Sequence, residues 1–369
     1  MKKLGLGLMR LPLTDPDDPK SLDYAACNAL VDRFLQRGFT YFDTAYAYHG
    51  GMSESVVRRC LVERHPRETF CVADKMPIWL AKKPEDYPPL FAQQLERTGL
   101  SYFDVYLLHA LGQSSYEKTV ERGGFDFVRR MKDEGKIRHL GFSYHDGAEL
   151  LDRILTEHPE MEIVQLQVNY VDWDSEGVQA RRCCEVAARH GRKVVVMEPV
   201  KGGTLAHVPP AAEQILRAAA PERSPAVWAL RFAAAQDPVV MVLSGMSNAA
   251  QLEENMDALA EFRPLSDTER AALDQAAQTI AAATAIPCTA CRYCVDDCPM
   301  HIAIPNYFAL YNDQHQFGMG ASNPSYYSNL TKRFGMASAC IRCGVCESHC
   351  PQHLDIRGWL EKVAQAFGK

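Results

Sequence analysis

Eight of the thirteen cysteines fall in two short runs: Cys288, Cys291, Cys294 and Cys298, then Cys340, Cys343, Cys346 and Cys350. Each member of the second run lies 52 residues after its counterpart, and both runs close on Cys-Pro, at Pro299 and Pro351. The pattern CxxCxxCxxxCP is therefore an internal repeat. Thiolates are soft ligands that suit iron–sulfur clusters, and three of them within seven residues can wrap one corner of a cubane. A zinc ribbon usually shows two CxxC pairs, not three ligands in seven residues and a fourth before proline. One-electron chemistry is expected at this end of the chain. The other five cysteines (Cys27, Cys60, Cys71, Cys183 and Cys184) are scattered, and the adjacent Cys183 and Cys184 read as helix packing. Reduced thiols in a cytoplasmic setting fit this usage.

A second set of capable residues lies far upstream: Asp43, Tyr48, Lys75 and His109, at or just after the ends of three successive apolar runs. Alone, each is unremarkable, since a strand-end aspartate is commonly a helix cap and a strand-end histidine a satisfied core residue. Together they form a set that carbonyl chemistry needs. Hydride addition to a carbonyl leaves negative charge on oxygen, which must be stabilised and protonated. Tyrosine can do both, but its ordinary pKa of about 10 makes it a reluctant acid at neutral pH. A neighbouring lysine ammonium is expected to lower that pKa, an aspartate to keep the lysine charged, and a histidine N–H to orient the carbonyl oxygen.

These residues must be positioned by regular elements. From residue 4 to about 262, short β-prone runs alternate with longer helical patterns. The strand candidates are 4–9, 41–43, 70–75, 104–109, 139–143, 163–167, 194–198 and 239–243, mostly continuous apolar runs of the kind buried on both faces of a parallel sheet. Eight strand–helix units in about 260 residues match a (β/α)8 TIM barrel. A doubly wound sheet competes, but no GxGxxG follows the first strand; "LGLGL" carries two of the three glycines. In a barrel, chemistry sits where strands end, which is where Asp43, Tyr48, Lys75 and His109 fall. The segment 264–287 reads as a closing helix, and Ile286-Pro287 as a boundary. The expected division is a barrel over 1–285 and a second domain over 286–369. Within the latter, "IPNYFALYNDQ" and "LDIRGWLEKVAQAF" look helical.

The spacing of the cysteines resembles that of bacterial two-cluster ferredoxins, in which the fourth cysteine of each run ligates the other cluster. That resemblance implies one [4Fe–4S] cluster on Cys288, Cys291, Cys294 and Cys350 and a second on Cys340, Cys343, Cys346 and Cys298. The linker of 41 residues between Cys298 and Cys340 points to a mainly α-helical ferredoxin-like domain rather than the small hairpin type. Upstream, "DTAYAY", "DK", "LLH" and "GFS" resemble the aldo-keto reductase superfamily over about residues 1–262. The resemblance implies NAD or NADP bound without a Rossmann motif, and a catalytic tetrad of Asp43, Tyr48, Lys75 and His109 with Tyr48 as acid/base. "QLQVNY" implies that Ser143 and Gln167 hold the carboxamide. "LSGMSNAAQLEEN" implies an adenosine-binding end at Ser247, Gln251, Glu254 and Asn255. Both halves resemble the subgroup with a fused C-terminal two-cluster domain. One departure is Gln251, where NADP-preferring members often carry a basic residue; Lys201 is either a phosphate contact or a solvated loop lysine.

Composition narrows the rest. A net charge of −6, 47% apolar and 23% charged residues describe a globular protein and argue against a nucleic-acid binder. "MKKLGLGLMRLPL" is too short in its apolar part for a signal peptide, and no 18-residue apolar stretch occurs, so no membrane span is expected. The leading expectation is a reductase or dehydrogenase of a small carbonyl or alcohol substrate. The alternative is an iron–sulfur electron-transfer protein with a ferredoxin-like partner, whose barrel serves as a nucleotide-binding module. No flavin signature is visible that would couple two-electron to one-electron chemistry. Trp79 and Trp173 follow strands and are assigned no role.

Overall fold

The computed structural model describes residues 2–175, 178–288, 294–295, 297–318, 323–350 and 353–368. Eight strands close into a barrel in sequence order: β1 (Leu4–Gly7), β2 (Tyr41–Asp43), β3 (Cys71–Met76), β4 (Phe103–Leu111), β5 (Ile137–Tyr144), β6 (Ile163–Gln167), β7 (Lys193–Met197) and β8 (Val239–Ser244). They coincide with the eight apolar runs, to within two residues at the ends. All neighbours pair parallel, and β1 closes on β8 with Leu4 opposite Val242. Both faces of each strand are covered, so the runs need no polar alternation.

The two-residue period of a strand decides which side chains reach the centre. Tyr41, Ala73, Val105, Leu107, Ile163, Val195, Met241 and Leu243 form the inner core. Phe42, Val72, Tyr106, Leu108, Phe142 and Val164 belong to the larger outer core beneath the helices. Counting by twos from the inner residues places Asp43, Lys75, His109, Gln165 and Gln167 on the inward face, at the C-terminal ends of their strands. Gly141 is required on β5, because a Cβ there would meet Ile163 O at 2.2 Å.

The chain divides into two compact units. One comprises 1–173, 178–200 and 226–265, the barrel proper; the other comprises 174–177, 201–225 and 266–369. The Pro- and Ala-rich excursion after β7 and the helix Asp267–Ala282 thus belong with the cysteine repeat, and helix Pro210–Ala219 lies against Asp267–Ala282. The latter starts with a capping box, Ser266 Oγ accepting from the Glu269 N–H and Glu269 returning a bond to the Ser266 N–H. The helices Ile304–Phe317 and Ile356–Phe367 form where expected. Their apolar faces, with Ile302, Tyr307, Phe308, Leu360 and Val363, build a second core that also holds Cys294 and Cys346. No helix among the described residues is long and apolar enough to cross a membrane.

Candidate active site and cysteine bay

At the barrel centre, Lys75 is fully buried and Asp43 is 3% exposed. The Lys75 ammonium has three hydrogens and three partners: Asp43 Oδ1 at 2.6 Å, Thr44 O at 2.8 Å and Tyr48 OH at 3.2 Å. Asp43 Oδ2 in turn accepts from Gln165 Nε2 at 3.0 Å. Burial works against the ammonium, but Asp43 and Tyr48 outweigh it and hold Lys75 charged, above the usual lysine range. Tyr48 opens the turn Tyr48–Gly51, whose next residues, His49 and Gly50, are left-handed. That turn is pinned by His49, which accepts from the Leu11 N–H at 3.1 Å and bonds Pro19 O at 2.9 Å.

The Tyr48 phenol departs from expectation. Its pKa is raised, because burial outweighs the opposing pull of Lys75. The Asp43 carboxylate adds to the rise, while Lys75 opposes it through its charge and through the hydrogen bond it donates to the phenolic oxygen. A phenol that accepts from Lys75 keeps its own hydrogen for another partner.

His109 completes the group. Its ring meets Tyr48 edge-on at 6.2 Å and lies 5.2 Å from the Trp79 ring. Burial, helped by Lys75 and His145, pushes His109 down to about 3, so the imidazole is neutral. Its Nδ1 is buried with no hydrogen-bond partner among the described residues, an orphan of the kind a bound molecule satisfies. The next residue, Ala110, has φ +59° and is clamped from both sides, its N–H by Ser143 Oγ at 2.7 Å and its C=O by Ser115 Oγ at 3.1 Å. Backbone strain held this way is typical of ligand sites. Trp79 is 41% exposed beside His109, whereas Trp173 packs edge-on against Phe232 at 5.5 Å.

The residues expected to hold a carboxamide have complementary free groups. Ser143 accepts from Ala110 and so retains its hydroxyl hydrogen to donate. Gln167 Nε2 donates to Asp172 Oδ2 at 2.9 Å, which leaves its carbonyl oxygen to accept. One donor and one acceptor on adjacent strands are what a primary amide requires. At the other end, Ser247 Oγ donates to Arg10 O at 3.0 Å, and Gln251 Oε1 accepts from the Ser247 N–H at 2.8 Å. Asn255 is turned inward, its Nδ2 donating to Ser244 Oγ at 3.1 Å, while Glu254 lies exposed on helix Ala249–Ala260. The segment after β8 lacks a cation of its own, but Arg10, from the loop after β1, crosses it: a Cβ on Gly245 would lie 2.9 Å from Arg10 Cβ. Lys201 instead lies within the second unit, 3.8 Å from Asp313 Oδ1.

Sequence reading missed Gln165, Thr44, Asp172 and Arg10. Gln165 was legible as the inward neighbour of Gln167 two residues back. Arg10 was not, because its relevance is purely spatial. A buried carboxyl pair also escaped notice: Asp74, on the outward face of β3, and Glu54 are both fully buried. Gln94 and Arg97 hold Glu54 at 2.9 and 3.0 Å, and burial together with Glu54 raises the Asp74 carboxyl well above the usual carboxylate range.

In the second unit, Cys298, Cys340, Cys343 and Cys346 line one cavity of about 310 Å3, mouth included, walled by Ile302, Ile304, Leu360 and Arg357. Burial pushes the Cys346 thiol up to about 11, with Glu347 and the three other thiols contributing. Among the described residues, no three Cys, His, Asp or Glu groups converge as around a single ion. Thiols spread around a cavity suit a cluster with several iron corners better than one zinc. Cys288, Cys294 and Cys350 sit in or against the same apolar core; Cys291 lies outside the described residues.

Comparisons with known proteins agree with this geometry. Residues 3–278 match the aldo/keto reductase family, and residues 287–354 match a 4Fe-4S dicluster domain. An uncharacterised oxidoreductase of Schizosaccharomyces pombe, C215.11c, is 26% identical over 269 residues, covering 70% of this chain and 81% of the relative. The NADH-specific methylglyoxal reductase of Escherichia coli is 24% identical over 225 residues, covering 56% and 65%. A Klebsiella pneumoniae aldo/keto reductase in complex with NADP and acetate superposes with a TM-score of 0.58 at 23% identity, covering 74% of this chain and 90% of that one. The chain therefore belongs to the aldo/keto reductase family, as an oxidoreductase that carries a C-terminal 4Fe-4S dicluster domain.

Proposed function

We propose that this oxidoreductase moves hydride between NAD(P)(H) and a small carbonyl or alcohol substrate, with Tyr48 as acid and base. The observation that carries the reading is the polarity of the bond at Tyr48: Lys75 Nζ donates to the phenolic oxygen, so the phenolic hydrogen is available to a substrate oxygen. The nicotinamide, when bound, supplies or takes the hydride. Tyr48 gives a proton to the carbonyl oxygen as charge develops there, and Lys75, held by Asp43, stabilises the phenolate left behind. Neutral His109 orients that oxygen through an imidazole N–H, and Trp79 forms an apolar wall beside it. Ser143 and Gln167 would hold the carboxamide, and Ser247, Gln251, Glu254 and Asn255 belong to the segment that would receive the adenosine end. Relatives include an NADH-specific enzyme and an NADP-bound one; Arg10 supplies a cation for a 2′-phosphate and favours NADP here.

In the second unit, Cys298, Cys340, Cys343 and Cys346 hold one [4Fe–4S] cluster, and Cys288, Cys291, Cys294 and Cys350 the other. Tyr48→Phe tests the catalytic reading. Carbonyl reduction should fall by about 100-fold or more, with NADPH still binding as judged by fluorescence; undiminished turnover would overturn it. A second reading, electron exchange between the clusters and a ferredoxin-like partner, is favoured by the exposure of Cys343 at the lip of its bay. Anaerobic addition of NADPH tests whether the barrel takes part in that exchange. Bleaching of the cluster absorbance would show that nicotinamide and clusters share electrons. Unchanged absorbance with full carbonyl turnover would leave the barrel working alone.

A further inference from the structure

The wall of the Cys298–Cys340–Cys343–Cys346 bay contains a charge that ligation does not require. Arg357, at the start of helix Ile356–Phe367, lines the bay, whereas Glu347 does not. Glu347 grips the far edge of the guanidinium: its Oε2 accepts from Arg357 Nε at 2.9 Å and Nη2 at 2.7 Å, and its Oε1 takes the Arg357 backbone N–H at 2.9 Å. Among the described residues, the Nη1 edge has one long contact, to Arg342 O at 3.5 Å. It overlies Gly344, whose Cβ, were there one, would be 3.7 Å from Nη1. Gly344 has φ +81° and stands between Cys343 and Cys346, so the free edge of the guanidinium faces the ligand loop. A carboxylate oxygen that accepts from two guanidinium nitrogens, its partner oxygen tied to the backbone, thus fixes the orientation of a cation whose opposite side borders the bay.

We propose that Arg357 is a redox-tuning residue, which stabilises the reduced form of the cluster held in this bay and raises its reduction potential. The inference rests on the two-cluster reading above. Reduction adds one electron from an external donor, with no bond or proton moved, and makes the cluster more negative. A nearby cation and its N–H groups favour the more negative state, and net charge and hydrogen bonds to sulfur are among the terms that set such potentials. The effect belongs to one bay. In the 52-residue repeat the counterpart of Arg357 is Pro305, which has neither charge nor N–H.

The test uses the whole chain, purified anaerobically with clusters loaded, its iron and sulfide measured, and titrated with dithionite under EPR. Arg357→Gln should move one of the two midpoint potentials to more negative values and leave the other in place. Arg357→Lys, which keeps the charge, should shift it less. Should Arg357→Gln load poorly, Arg357→Gln with Glu347→Gln removes the stranded carboxylate and should shift the same potential in the same direction. Unmoved potentials with both clusters loaded, or equal movement of both, would overturn the proposal. Loss of loading in both Gln variants but not in Arg357→Lys would assign Arg357 to assembly and overturn a tuning role. Wild-type protein whose iron and sulfide do not account for two clusters would overturn the underlying reading instead.

Discussion

Replacing Lys75 by methionine isolates the contribution of the buried ion pair. The substitution preserves length and apolar stem but removes three donors, to Asp43, Thr44 O and Tyr48 at 2.6, 2.8 and 3.2 Å. Asp43, 3% exposed, would keep Gln165 Nε2 as its side-chain donor. Breaking a buried pair by removing one partner costs about 3–5 kcal/mol, because the remaining charge is stranded. The lost bond to Thr44 O adds no more than about 1–3 kcal/mol, so the stranded carboxylate dominates. Urea unfolding followed by far-UV circular dichroism should show the barrel transition lowered by about 3–5 kcal/mol. Adding Asp43→Asn removes the stranded charge and should recover about 2 kcal/mol or more of that loss. Two results would refute the reasoning: a cost for Lys75→Met below about 1 kcal/mol, or a double variant as costly as the sum of the singles. Either would mean that the pair is effectively solvated. Activity should be lost in both variants, since neither retains the donor to Tyr48.

Four further outcomes follow from the active site and the cysteine bay. Because burial raises the Tyr48 phenol, carbonyl reduction, which needs the protonated form, should stay level through neutral pH and decline only above about pH 10. With His109 at about 3, no acid limb from that residue should appear in the working range; a kcat profile with a limb between about pH 6 and 8 would contradict both assignments. Arg10→Glu places a carboxylate across Gly245 and should raise KM for NADPH at least about tenfold while changing KM for NADH much less; equal changes would remove Arg10 from phosphate recognition. Finally, Cys298→Ala and Cys346→Ala should abolish the same EPR-active cluster, because both thiols line one bay. Loss of different clusters would mean that each cysteine run ligates its own.

Much of this was readable along the chain because it depends on local order. Eight apolar runs at barrel spacing were enough to place β1–β8, since burial on both faces leaves a continuous apolar signature that neighbours do not alter. The 52-residue repeat was equally plain, as thiol spacing is a property of sequence. Asp43, Lys75 and His109 stood out because each ends a strand, and the strand period then sends all three inward.

What the tertiary structure alone decided concerns distance and dielectric. The direction of the Tyr48 shift followed from how deeply the phenol is buried and how the nearby Lys75 and Asp43 charges oppose each other at it, quantities that no spacing encodes. Gln165 joined the site because β6 lies across the barrel from β2, 122 residues away along the chain. Arg10 reached the loop after β8 only because β1 closes the barrel against it. The ferredoxin resemblance already implied the grouping of Cys298 with the second run, but the turning of Arg357 toward that bay by Glu347 required helices Ile304–Phe317 and Ile356–Phe367 to fold over one core. Residue type and period determine which groups can act; closure of the barrel and burial determine which of them meet, and in what state of charge.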